Sequence, residues 1–337
     1  MDSARSALIT GITGQDGSYL ADLLLEKGYS VTGMIRGTPE DSLGCSEHLR
    51  GRLHLVHGDL LEPDTLRAAV EQVRAAEVDG AGGAFEIYHL AAPSFVPASW
   101  QRPGETLRAI AGSCAAILEA VRDMDGDTRV FVAASGGMFG EAPESPQRED
   151  TPCRPTTPYA IAKLATHQLV GALRTRDGLH ASSGITFNHE SERRPEQFVT
   201  RRISRAAAAI SLGLQQELTL GSLDAVRDWS FAGDVMYGAW LMLQQERPDD
   251  YILASGVPHT VAELANAAFA CVGLDAERYL RSDDSLVRPA ESTPNVGDPA
   301  KARERLGWEP HVGFEALVER MVLADVRALQ GAAAVSN

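Results

Sequence analysis

Three things are scarce in this chain, and each scarcity narrows what it does. The four cysteines (Cys45, Cys114, Cys153, Cys271) form no Cys-x-x-Cys pair and no metal-ligand spacing. They predict reduced thiols in a cytoplasmic protein, with neither a disulfide framework nor a metal site. No apolar run approaches membrane-spanning length, and the opening run Ala7-Leu8-Ile9-Thr10 is too short for a secretory signal. Positive charge is also short: 31 Lys and Arg stand against 46 Asp and Glu, a formal net charge of −15. That balance argues against a nucleic-acid or anionic-membrane surface, so an anionic ligand needs a local cluster of arginines. There is no internal repeat and no low-complexity linker. What remains is 337 residues, 44% hydrophobic and 23% charged, enough for one large α/β unit or two domains sharing an interface.

Short apolar runs alternate with amphipathic stretches from the start. Strand candidates are 7–10, 30–35, 53–57, 86–90, 130–134 and 185–188, with helix candidates at 18–27, 63–76, 106–122 and 158–176. Strict alternation predicts an α/β fold, a Rossmann-type doubly wound parallel sheet. After Asn188 the pattern loosens into arginine-rich loops, a helix near 200–212 and a short strand near 217–220. Residues 229–245 and 251–254 read as a return to the sheet. We therefore expect a cofactor domain over 1–188 and roughly 228–258, and a smaller, discontinuous substrate-binding domain over 189–227 and 259–330.

The first strand candidate runs directly into Gly11-Ile12-Thr13-Gly14-Gln15-Asp16-Gly17 and then a helix. Gly11 allows a tight turn, Gly14 lets backbone approach a pyrophosphate, and Gly17 lets helix pack on strand. Phosphates then sit at the helix N-terminus, where free N–H groups favour anions. The residue after the second strand discriminates the cofactor: an acid suits the ribose hydroxyls of NAD, an arginine the 2′-phosphate of NADP. Here it is Arg36, which favours NADP unless the guanidinium only faces solvent. Asp59, after the third strand, is placed to meet the adenine, and Leu90-Ala91-Ala92 leave room for the centre of the cofactor.

Tyr159 and Lys163 stand four apart on a predicted helix and so share a face. A tyrosine near pKa 10 is a poor base at neutral pH, and an adjacent ammonium favours its phenolate. Ser135 follows the fifth strand, where side chains face the ligand crevice at the carboxyl edge of the sheet. Its hydroxyl is placed to hydrogen-bond a reacting oxygen. The three together predict an oxidoreductase centre.

These segments resemble the extended short-chain dehydrogenase/reductases, and among them the GDP-mannose 4,6-dehydratase family, from Ala7 to about Trp308. The most specific stretches are Gly11 to Leu20, Phe187-Asn188-His189-Glu190-Ser191 with Arg193-Arg194, and Phe198-Val199-Thr200-Arg201-Arg202. Leu223-Asp224-Ala225 with Arg227-Asp228-Trp229, and Arg288-Pro289-Ala290-Glu291, complete them. The resemblance implies a GDP-sugar substrate and cofactor contacts from Thr13, Gln15, Asp16, Leu60, Leu90, Ala91, Tyr159, Lys163 and His189. It implies substrate contacts from Ser94, Ser135, Asn188, Val199, Arg202, Leu220 and Arg227, with Arg288 and Glu291 near diphosphate and ribose. Bidentate guanidinium–phosphate contacts explain why so acidic a chain would concentrate arginine there. It further implies a homodimer, or a tetramer, joined through helices 106–122 and 158–176, the first with Leu107, Ile110, Cys114 and Ile117 on its apolar face.

The departures from the family carry information too. Family members place a glutamate two positions after the hydroxyl residue, as acid and base for the C5 proton and C6 hydroxyl; here Gly137 stands there. Pro93 replaces a glutamine, Ser222 an asparagine, and the loop after Arg36 lacks a second arginine and a serine run. The expected activity is therefore NADP-dependent oxidoreduction at C4 of a GDP-sugar, as a 4-epimerase or 4-ketoreductase. The alternatives are a GDP-mannose 4,6-dehydratase with another base, and a non-catalytic protein that binds NADP and GDP-sugar.

Overall fold

Successive residues of a β-strand face opposite sides of a sheet, and in this protein both sides are covered. A computed structural model describes residues 5–78, 84–124, 127–283 and 293–335. Strands β1 (Ser6–Thr10), β2 (Ser30–Ile35), β3 (His54–His57), β4 (Phe85–His89), β5 (Thr128–Ala133) and β6 (His180–Thr186) lie in one parallel sheet. Ala7, Ile9, Tyr88 and Phe131 enter one core with helices α1 (Gln15–Glu26) and α8 (Ala232–Leu243). Leu8, Ile87, Val130 and Val132 enter the other with α2 (Pro63–Val78), α5 (Ser113–Arg122) and α6 (Pro158–Asp177). Burial on both faces is why central strands such as β1 and β5 read as largely apolar runs.

Past β6 the chain changes sheets. Phe187 interrupts the strand, and β7 (Asn188–Glu190) pairs with β9 (Val226–Phe231), which in turn pairs with β11 (Pro258–Thr260). A further pair joins β8 (Leu218–Leu220) to β12 (Leu280–Ser282). Helices α7 (Val199–Ser211), α9 (Val261–Ala270) and α10 (Phe314–Val335) close a third core around Ile203, Trp229, Phe269 and Met321. Strand β10 (Tyr251–Leu253) returns to the first sheet beside β6, completing the order β10-β6-β5-β4-β1-β2-β3. The connection order reverses between β1 and β4, which opens a crevice at their carboxyl ends.

Three readings of the sequence pattern differ from the structure. Residues 229–231, expected to return to the main sheet, form the end of β9 in the second sheet, and only β10 rejoins the first. The single helix expected over 106–122 is instead α4 (Pro103–Leu107), a π-turn (Arg108–Gly112) and α5, preceded by α3 (Val96–Gln101). Ser113 Oγ donates to the Ala109 carbonyl at 2.7 Å, a side-chain bond that competes with the helical ladder. Strand β6 begins at His180, five residues before the apolar run, because Ser182 and Ser183 are buried within it. The Ser183 N–H donates to Asp250 Oδ1 at 2.9 Å, a partner that hydrophobic patterning does not reveal.

Candidate active site

The glycine turn has the geometry its sequence predicts. Gly11 has φ +78°, and a Cβ there would stand 2.9 Å from the Ala91 nitrogen. A Cβ on Gly17 would meet the Gly11 carbonyl oxygen at 2.3 Å, so only glycine lets α1 pack this closely. Gly14 caps α1, leaving the first N–H groups of the helix at the mouth of the crevice. Thr13 and Gly14 are exposed there. This cradle fits the diphosphate of a nicotinamide dinucleotide.

Gln15, Asp16 and His189 meet as a cluster whose side chains bond one another. His189 Nε2 donates to Asp16 Oδ2 at 2.9 Å and Nδ1 to the Phe187 carbonyl at 2.7 Å, so the ring is an imidazolium. Burial pushes the His189 pKa down, but Asp16 and the acceptors more than offset it, and it stands above the ordinary value. Burial likewise raises the Asp16 carboxyl, and His189, Gln15 and Arg194 reverse this, to about 2. Gln15 Nε2 donates to the His189 carbonyl while its Oε1 accepts from Ser191 Oγ. The glycine turn is thereby fastened to β7.

On the opposite side of the turn, Thr10 Oγ1 accepts from the N–H groups of Leu90 and Ala91, both at 3.1 Å. Its proton goes to His89 Nδ1 at 2.9 Å, and His89 Nε2 donates to Ser113 Oγ at 3.0 Å. The partners assign this tautomer, since the Ser113 proton is committed to Ala109. Burial, with the Lys163 charge, lowers His89 to about 3, so it is neutral and the chain runs one way. Sequence reasoning missed Thr10, His89 and Ser113, whose partners lie on other elements.

Beyond β5, Ser135 caps a short 3-10 turn (Gly136–Phe139). Its Oγ accepts from the Gly137 N–H at 3.2 Å, which leaves the hydroxyl proton free to donate into the crevice. Tyr159 opens α6 behind the Thr157 cap, and Lys163 one turn later is buried, its Nζ donating to the Ala133 carbonyl at 2.6 Å. That ammonium stands 5.8 Å from the Tyr159 ring centre. A Cβ on Gly137 would touch only Ser135 Oγ, at 3.4 Å, so the backbone has room for a side chain the sequence does not supply. Gly136 is different, because a Cβ there would strike the Phe187 ring at 2.9 Å.

The expected substrate residues are spread over several elements, two of them in the second sheet. Asn188 begins β7 opposite Trp229 of β9, which also carries Arg227. Arg227 is half-buried, and one of its nitrogens donates to its neighbour's carbonyl. Arg202 is exposed on α7 and donates to the Thr219 carbonyl at 3.0 Å. Val199 is half-buried, Leu220 is buried in the third core, and Ser94 is exposed in the loop after β4. Asp59 Oδ1 accepts from the Leu61 N–H, and Leu60 is half-buried beside it. Arg288 and Glu291 lie outside the described residues. Just beyond them, Asn295 Nδ2 donates to the Gly136 carbonyl at 3.2 Å, and the Gly297 N–H donates to Asp228, which also accepts from Ser255 and Gly256. Asn295 and Asp228 thus hold a strand of backbone along the loop after β5.

Among the described residues no cluster of histidine, cysteine or acidic side chains could hold a metal ion, and no helix is long and apolar enough to cross a membrane.

The family model for GDP-mannose 4,6 dehydratase matches residues 8–321. GDP-mannose 4,6 dehydratase 1 of Arabidopsis thaliana is 43% identical, with 96% of this chain and 90% of that protein covered. GDP-mannose 4,6-dehydratase of Sinorhizobium fredii is 40% identical, over 98% of this chain and 99% of that one. Among solved structures, Thermus thermophilus UDP-glucose 4-epimerase in complex with NAD superimposes with a TM-score of 0.79 at 24% identity, covering 95% and 98% of the two chains. Pseudomonas aeruginosa RMD in complex with NADPH does so with a TM-score of 0.78 at 21% identity, covering 96% and 99%. Glycine turn, Tyr-x-x-x-Lys helix and near full-length identity agree: the chain belongs to the GDP-mannose 4,6-dehydratase family.

Proposed function

We propose that this protein is an NADP-dependent oxidoreductase acting at C4 of a GDP-sugar, as a 4-epimerase or a 4-ketoreductase. The observation that carries this reading is Gly137, a residue without a side chain beside an intact Ser135, Tyr159 and Lys163. The glycine turn would hold the dinucleotide, with Arg36 toward a 2′-phosphate; bound there, its nicotinamide supplies the hydride acceptor or donor. The Tyr159 oxygen takes the proton of the sugar hydroxyl, with Lys163 stabilising the phenolate. Ser135 donates to the oxygen on which charge develops. Asn188, Arg202 and Arg227 would orient the nucleotide, the arginines through charge-assisted bonds to the diphosphate. Elimination of the C6 hydroxyl needs a group that accepts the C5 proton, and position 137 offers none. Glu141, the next acid in the chain, is exposed.

The competing reading is a GDP-mannose 4,6-dehydratase with a base from elsewhere, favoured by the names of the relatives at 43% and 40% identity. Rapid mixing of the NADP-loaded protein with GDP-hexoses and GDP-6-deoxyhexoses separates an enzyme from a binding protein. Absorbance of reduced cofactor is expected with at least one GDP-sugar, and lost in Tyr159→Phe. Binding of every sugar without hydride transfer would contradict the reading.

A further inference from the structure

The loop that follows β2 carries an anion of its own. Arg36 leaves the strand exposed, and among the described residues it makes no hydrogen bond or ion pair. The Thr38 N–H donates to Asp41 Oδ2 at 2.7 Å, and the Asp41 N–H donates back to the Thr38 carbonyl at 3.0 Å. The same carboxylate oxygen lies against Gly37, where a Cβ would stand only 2.2 Å from it. Arg50 holds the loop in this shape by donating to the carbonyls of Pro39 and Asp41, at 2.6 and 2.7 Å. Farther on, the Cys45 N–H reaches the Thr13 carbonyl at 3.0 Å and Ser46 Oγ the Ile12 carbonyl at 2.6 Å. The loop is therefore tied to the glycine turn as one wall of the cofactor crevice. That wall presents an unpaired guanidinium and, close along the chain, a carboxylate seated on a backbone N–H.

These two groups favour different cofactors. At the end of the second strand of such a fold, a carboxylate accepts from the ribose 2′-hydroxyl of NAD, whereas an arginine meets the 2′-phosphate of NADP. A phosphate entering this loop gains Arg36, but finds the Thr38 N–H already taken by a group of its own charge. We propose that Asp41 is a cofactor-specificity residue that opposes Arg36, so that the site takes NAD as well as NADP. The proposal rests on the reading that the glycine turn holds a nicotinamide dinucleotide, and makes no use of the sugar chemistry.

Calorimetric titration of the intact protein with NADP and NAD tests it, with adenosine 2′,5′-bisphosphate and AMP as probes of the adenosine half alone. Asp41→Asn keeps an oxygen that accepts from Thr38, so the turn survives while the charge goes. The variant is expected to bind NADP and the bisphosphate about three- to ten-fold more tightly, through removal of like-charge repulsion. NAD and AMP should bind no better than before. Arg36→Ala should weaken NADP and leave NAD unchanged. An unchanged NADP-to-NAD ratio in Asp41→Asn, with Arg36→Ala still weakening NADP, overturns the proposal and leaves Asp41 as a turn-closing residue. Unchanged ratios in both variants overturn the role of Arg36 as well.

Discussion

The Asp16–His189 contact ties the glycine turn to β7 through a charged pair, so its strength depends on pH. Asp16 titrates at about 2 in the folded protein against an ordinary 3.8, so its contribution is present above 3.8 and lost as pH falls through about 2. His189 stands above its ordinary 6.5, so its contribution is complete below 6.5 and lost as pH rises through the folded value. The pair therefore stabilises most between these limits, by on the order of 2 kcal/mol. Denaturant unfolding of wild type and His189→Gln across pH checks this. The stability difference should peak in that window and narrow toward alkaline pH; a constant difference would contradict it. Single residues were legible in sequence where their partners are local. Tyr159 and Lys163 share a helix face, and Ser135 follows a strand. Asn295 and Asp228 were not, because their partners lie 159 and 69 residues away in sequence.

At the scale of elements, helix α6 and the α4–α5 segment are the expected two-fold interface. The apolar stripe read for the α4–α5 segment is mostly internal: Ile110 is buried, and Cys114 and Ile117 lie in the core against the sheet. Period alone does not say which side of a helix meets the sheet, and here the sheet takes Cys114 and Ile117. What faces outward is Leu107 of α4, 38% exposed, Ile161 of α6, 47% exposed, and Trp100 of α3, 63% exposed. An apolar surface of this kind on three neighbouring helices is suited to a second copy of the chain. Light scattering at micromolar concentration should give a dimer for the wild type and a monomer for Leu107→Glu with Ile161→Glu. A wild-type monomer would contradict the interface. All six strand candidates overlap observed strands, the central ones because buried parallel strands are largely apolar. The π-turn and the polar start of β6 stayed hidden because Ser113 and Ser183 are satisfied by distant side chains.

Across the whole molecule, the candidate site residues come from both the parallel sheet and the second sheet. The glycine turn, the Ser135 loop and Tyr159 lie toward the carboxyl edge of the parallel sheet, while Asn188 and Arg227 come from the second. The family and its fold are legible in the sequence because long stretches carry them. The proposed reaction turns on Gly137, where the loop after β5 has room but no side chain. General acid–base assistance contributes about a hundred- to ten-thousand-fold in rate, so its absence should separate C4 chemistry from elimination. The most direct measurement is incubation of the NADP-loaded protein with GDP-mannose in deuterated water, followed by mass spectrometry and proton NMR of the sugar. Retention of C5–H and the C6 oxygen is the predicted result, even where C4 is oxidised or inverted. Efficient formation of a 4-keto-6-deoxy sugar carrying solvent deuterium at C5 would contradict the account and assign the missing base to another residue.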